Sequence, residues 1–147
     1  MKEIVRVRAA DDNHQVVTVE SGPGERPSYR RTPCSARPGM PACPWRLDAV
    51  PGEYPAEAYR LSAPTTYDLA RRTFGCHQAP HERAQTCAGF LLRGASDNLG
   101  VRMWREDLSS VHSDVPLYDN YRDMAIANGV DPDDPALTPC RGDRSMP

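Results

Sequence analysis

Four cysteines stand in distinctive surroundings: Cys34 and Cys43 in TPCSARPGMPACPWR (residues 32–46), Cys76 in FGCH (74–77) and Cys87 in TCAGF (86–90). The thiolate is the metal-binding form of cysteine, and four thiolates can close a tetrahedral Zn²⁺ site or hold a 4Fe-4S cluster. Helix termini and tight loops suit such ligands, because free backbone N–H groups there hydrogen-bond to sulfur and stabilise its charge. The spacing is C-x8-C, 32 intervening residues, then C-x10-C, which fits no standard zinc-ribbon pattern. Metal binding is the first reading. Inert buried thiols are the second, since cysteine is among the most buried residue types. That description suits Cys87, beside an apolar helical stretch, better than Cys34, Cys43 and Cys76, which lie among prolines, glycines and polar groups. Disulfides are the third.

The neighbours refine the chemistry. His77, next to Cys76, is a possible substitute ligand or a hydrogen-bond donor to a thiolate. Trp45 and Arg46 directly follow Cys43 and Pro44; they read as a cover over the metal site or, alternatively, as a recognition pair. Cys140 lies apart, near the end of the chain, and reads as a free thiol. Cys76 as a nucleophile would need His77 or His81 within hydrogen-bond reach and a third, orienting group, and adjacent side chains seldom face one another. No C-x-x-C redox motif is present.

The elements that position these residues are short. KEIVRVR (2–8) and QVVTV (15–19), separated by AADDNH, predict an N-terminal β-hairpin. Residues 21–44 carry nine prolines and glycines, which excludes a long helix or central strand and predicts a cysteine-bearing loop. PAEAYRL from Pro55 predicts a short helix, and TTYD (65–68) resembles a capping box before a second, LARR. Apolar residues at helical spacing predict one longer helix over residues 85–105, weakened by Gly94 and Gly100. PLYDNYRDMAIANG predicts a last helix that starts at Pro116 and stops at Gly129. The expected fold is therefore α+β: a small irregular domain with an N-terminal β-hairpin, a Cys-bearing loop and two to four helices around a metal site. It spans residues 1–130, and an acidic, proline-rich tail follows over 131–147.

The totals limit the function classes. A chain of 147 residues is one domain on length, and 39% hydrophobic residues with 15 prolines leave a modest core that a metal cross-link would help. Net charge is -2 with a pI near 6.1, which argues against a generic nucleic-acid coat or a membrane-surface protein. The charge is segregated, however: +3 over residues 1–46, +1 over 47–105 and -6 over 106–147. Any nucleic-acid contact would therefore use Arg26, Arg30, Arg31, Arg37 and Arg46. No signal-peptide pattern or membrane-span stretch is found, so the expected location is cytoplasmic, where thiols stay reduced and bind metal more readily than they form disulfides.

The motifs PCSARPGMPACPWR, FGCH, CAGFLL and NLGVRM resemble those of a domain-of-unknown-function family of actinobacteria and their phages, with P-C-x-x-C-P-W-R, F-x-C-H and C-A-G-[W/F] segments, over about residues 33–129. The resemblance implies that Cys34, Cys43, Cys76 and Cys87 belong together and brings no activity with it. Eight residues separate Cys34 from Cys43 where the pattern has two, so a longer loop must replace a tight two-cysteine turn. The reading that follows is a small cytosolic module that uses four cysteines to bind a metal, zinc first, and serves interaction with a protein partner or regulation. An iron-sulfur redox sensor is the alternative, and an enzyme the third choice.

Overall fold

The computed structural model describes residues 2–140. Alternation at the N-terminus produces strands β1 (Glu3–Ala9) and β2 (Gln15–Glu20), paired antiparallel with Val7 opposite Val17. The Asp11 carboxylate accepts from the Asn13 N–H at 2.8 Å and closes the turn, as short acidic side chains do. The register slips between Ile4 and Arg6, and such a bulge twists an edge and discourages pairing with another strand. Polar groups dock the hairpin on the body: Arg8 donates to the Leu61 carbonyl (3.4 Å) and Arg72 pairs with Glu20 (2.7 Å).

Helices α1 (Ala56–Ser62), α2 (Ala88–Arg93), α3 (Leu99–Arg102) and α4 (Tyr121–Ala127) follow. The longest have seven residues, well under the ~12–15 at which an isolated helix becomes even marginally stable in water. Tertiary contacts must therefore hold them. The core is aromatic: Trp45 is fully enclosed and meets Phe74, Phe90 and Tyr121 edge-on at ring-centre distances of 5.8, 6.5 and 5.7 Å. The Tyr121 hydroxyl donates to the Tyr59 carbonyl at 2.6 Å, which fastens α4 to α1. Among the described residues no helix is long and apolar enough to cross a membrane.

Several sequence expectations are corrected here. The single helix over 85–105 is two helices. Gly94 lies under the Trp45 ring, and Asn98, fully buried, caps α3 by accepting from the Val101 N–H (2.9 Å) while donating to the Thr65 and Arg72 carbonyls (2.9 and 2.8 Å). No helix forms at LARR: the Thr65 hydroxyl donates backwards to the Ser62 carbonyl (2.8 Å), Leu69 adopts φ 63°, and the Ala70 carbonyl accepts from Leu99 N–H (2.7 Å). Helix α4 starts at Tyr121 and not at Pro116, because Asn120 is its cap and residues 116–118 pair instead with 45–47. Gly129, at φ 100°, lies just past its end as expected. Residues 131–140 pack on the domain: Leu137 is fully buried, Asp134 pairs with Arg60 (2.7 Å), and the Tyr67 hydroxyl donates to the Ala136 carbonyl (2.6 Å). The remainder of the expected tail, 141–147, lies outside the described residues.

Candidate metal centre

The long spacing between Cys34 and Cys43 is closed by a turn. Arg37 and Met40 exchange both backbone hydrogen bonds (2.9 and 2.8 Å), with Pro38 and Gly39 between them and Gly39 at φ 74°. Proline followed by a left-handed glycine is the composition of a type II turn. At the base of the same loop the Cys43 N–H donates to the Cys34 carbonyl at 2.9 Å. The eight intervening residues thus fold back on themselves and bring the two cysteines side by side.

The second pair is built in the same way. Cys76 N–H donates to the Gln85 carbonyl (2.7 Å) and Cys87 N–H to the Phe74 carbonyl (2.9 Å), around a bridge between Gly75 and Thr86. Residues 28–30 add a third backbone line to Thr86: Thr86 N–H reaches the Ser28 carbonyl (2.9 Å) and Arg30 N–H the Thr86 carbonyl (3.0 Å). Cys87 then occupies the cap position of α2. One face of that helix receives Trp45, two residues after Cys43. A Cβ at Gly89 would stand only 2.5 Å from the Trp45 Cβ, and one at Gly94 2.7 Å from its Cη2. Two glycines therefore let the tryptophan lie flat on the helix, and this contact sets Cys43 against Cys87.

The four thiols are enclosed: Cys43 has no exposed surface and the others keep at most 8% of theirs. Cys43 Sγ lies 3.5 Å from Cys87 Sγ. Cys34 lies near enough to both Cys43 and Cys76 for each to shift its thiol. Contact with Cys43 raises the Cys34 thiol, opposed by Cys76 and assisted by burial. For Cys43 the bond with Cys34 acts downward, but the contact with Cys87 and burial carry the net shift well above the ordinary thiol value. Cys76 is raised by Cys34 and by burial. Crowded buried thiols resist taking on charge beside one another. Arg30 supplies positive charge to Cys34 and Cys76, and Arg46 lies near Cys43 and Cys34. Among the described residues, no three or more His, Cys, Asp or Glu side chains are arranged around a single ion position. The four thiols are buried neighbours that do not enclose a common point.

One sulfur–sulfur distance can be set beside those of metal sites. At a Zn–S length of about 2.3 Å, tetrahedral sulfurs lie about 3.8 Å apart. The Cys43–Cys87 distance of 3.5 Å is a few tenths short of that. A 4Fe-4S cluster places its cysteines on four different irons, which requires sulfurs well beyond contact distance.

The other residues singled out from the sequence divide between structural and surface roles. His77 Nε2 lies 2.6 Å from the Pro41 carbonyl; a carbonyl only accepts, so Nε2 carries the proton and is not available to a metal. Burial lowers its pKa. Trp45 is core. Arg46 is bound to Asp48 at 2.7 and 2.8 Å, Arg26 to Glu106 at 3.0 Å, and the side chains of Arg31 and Arg37 are exposed. Cys140 is buried next to the Thr66 hydroxyl (3.3 Å), apart from the four. Sequence reading passes over Gln78, which is buried and donates to the Ser35 carbonyl (2.9 Å) and the Pro41 carbonyl (3.0 Å), joining the loop of the first pair to that of the second. Its only signal is its place two residues after Cys76.

A family model described as a family of unknown function, DUF6283, matches residues 29–141, and the chain belongs to that family. The match takes in all four cysteines together with Cys140 and begins after the hairpin. Comparison with curated proteins and with solved structures gave no match.

Proposed function

We propose that Cys34, Cys43, Cys76 and Cys87 bind a single zinc ion that locks the two cysteine loops together, in a small cytosolic module for interaction with a protein partner or for regulation. One observation carries this reading: two separate loop closures and the Trp45–α2 contact gather four cysteines far apart in the chain into one buried neighbourhood, with Cys43 and Cys87 in sulfur contact. Inert core thiols need no such gathering. Four thiolates around a dication leave a net charge of -2, and Arg30 lies near Cys34 and Cys76 to offset part of it. Zinc bound there would supply folding energy to helices too short to persist alone.

The test is elemental analysis and an absorption spectrum on one sample, expressed anaerobically in medium containing both iron and zinc. A colourless protein with one zinc per chain is the expected result, since Zn²⁺ is d¹⁰. A brown protein with about four irons per chain would replace zinc by a 4Fe-4S cluster and move the function to redox sensing. A metal-free, fully folded protein would return the cysteines to core thiols.

A further inference from the structure

The loop that carries Cys43 also forms one wall of a cavity of about 100 Å³, lined by Pro41, Asp48, Glu53, Tyr54, Tyr59 and Tyr118 among others, with no lysine or arginine in its lining. The three tyrosines come from three segments and each is held in place. The Tyr54 ring is gripped edge-on by His14 and His77, at centre distances of 5.5 and 5.4 Å. Tyr59 sits on α1, whose Tyr59 carbonyl is bound by the Tyr121 hydroxyl. The Tyr118 N–H donates to the Trp45 carbonyl at 2.9 Å.

The chemistry of the lining selects a ligand type. Aromatic faces attract a cation through the ring quadrupole, and most strongly when the cation is stripped of water. Two carboxylates stand at the cavity: Asp48, partly neutralised by Arg46, and Glu53, which is exposed. Asn128, also in the lining, has its amide committed to Gly52 N–H and to the Met124 carbonyl. A primary ammonium is a strongly hydrated point charge that must shed its water to enter. An alkylated ammonium gives up less hydration and sets its methyl groups against the tyrosine rings. The volume, equal to about three waters at ~30 Å³ each, admits one such head group and not a nucleotide or a folded peptide.

We propose that this cavity binds an alkylated ammonium group, the head of a choline-type molecule or of a methylated lysine, with Tyr54, Tyr59 and Tyr118 as the cage and Glu53 as the counter-charge. The inference does not depend on the identity of the metal. It is tested by NMR titration of the full chain with choline chloride, with a short peptide containing trimethyllysine, and with 3,3-dimethyl-1-butanol, the uncharged isostere of choline. At least one of the two cations should shift the resonances of the three tyrosines, and the isostere should bind about tenfold more weakly or not at all. Saturation by choline but not by the peptide identifies a small-molecule ligand, and the reverse a modified protein tail. Tyr118→Ala should abolish the shifts. Glu53→Gln, an exposed change that leaves the fold intact, should weaken binding about three- to tenfold. Equal binding of the isostere, no effect of Glu53→Gln, or no tyrosine shift with either cation up to about 20 mM would overturn the assignment.

Discussion

Gly89→Ala is the sharpest test of how the protein sets its cysteines. The added methyl would stand 2.5 Å from Trp45 Cβ, 2.7 Å from Cγ and 3.0 Å from Cδ1. Carbon atoms settle at about 3.5–4.0 Å, so Trp45 and α2 must part by about 1 Å. Neither side gives easily, because Cβ is fixed to the backbone and the indole is packed against Phe74, Phe90 and Tyr121. Overpacking of this kind costs roughly 1–3 kcal/mol, or about 3–10 °C in Tm for a chain of this size. The same displacement lies between Cys43 and Cys87, and would stretch their 3.5 Å contact past the tetrahedral spacing of about 3.8 Å. Thermal unfolding and zinc retention against a chromophoric chelator should therefore fall together. Gly75→Ala is the control: it adjoins Cys76, but its nearest obstacle is the Gln85 carbonyl at 3.9 Å, and it should behave as wild type. If Gly89→Ala kept both wild-type stability and zinc, the placement of Cys43 by Trp45 would be refuted.

Cys43→Ser should lose the metal and much of the stability together, since structural zinc contributes on the order of 10 kcal/mol. Cys140→Ser should leave zinc content unchanged and cost only about 1 kcal/mol through its burial; elemental analysis and thermal unfolding of both variants distinguish the two sites. Gln78→Ala removes donors from the Ser35 and Pro41 carbonyls and should cost about 1–3 kcal/mol, with faster zinc release to chelator. The Asp134 carboxyl is held below its ordinary range by the Ala136 N–H and then by Arg60, so its contribution is present above about pH 4 and is lost as pH falls through its lower folded value. Asp134→Asn should accordingly be less stable than wild type at neutral pH, with the gap in Tm closing in acid; a gap independent of pH would count against the Arg60–Asp134 contact.

The hairpin and α1 are legible in the sequence because their signals are local: strand alternation around an Asp-Asn turn, and Pro55 ahead of AEAYRLS. The break in the 85–105 helix is not, because it depends on Trp45 lying across Gly94 and on Asn98 turning its amide to Thr65 and Arg72. Helical periodicity carries no trace of partners so far away in the chain. Composition makes residues 131–140 read as a tail, and its place against the domain rests on Leu137, which is buried, and on Cys140 beside the Thr66 hydroxyl, partners that composition does not carry. The four cysteines are legible as candidates from their proline and glycine neighbours. Their pairing is only half legible: Arg37-Pro38-Gly39-Met40 carries the turn chemistry that returns Cys43 to Cys34, but the bridge between Gly75 and Thr86 has no signature of its own.

The central claim, one zinc on four thiolates, is tested most directly by X-ray absorption at the zinc edge on the purified protein. Four sulfur scatterers at about 2.3 Å in the wild type and in Cys140→Ser, with the zinc signal lost in Cys43→Ser, is the predicted result. A first shell containing nitrogen or oxygen in the wild type, or iron neighbours at an iron edge with no zinc signal, would contradict it.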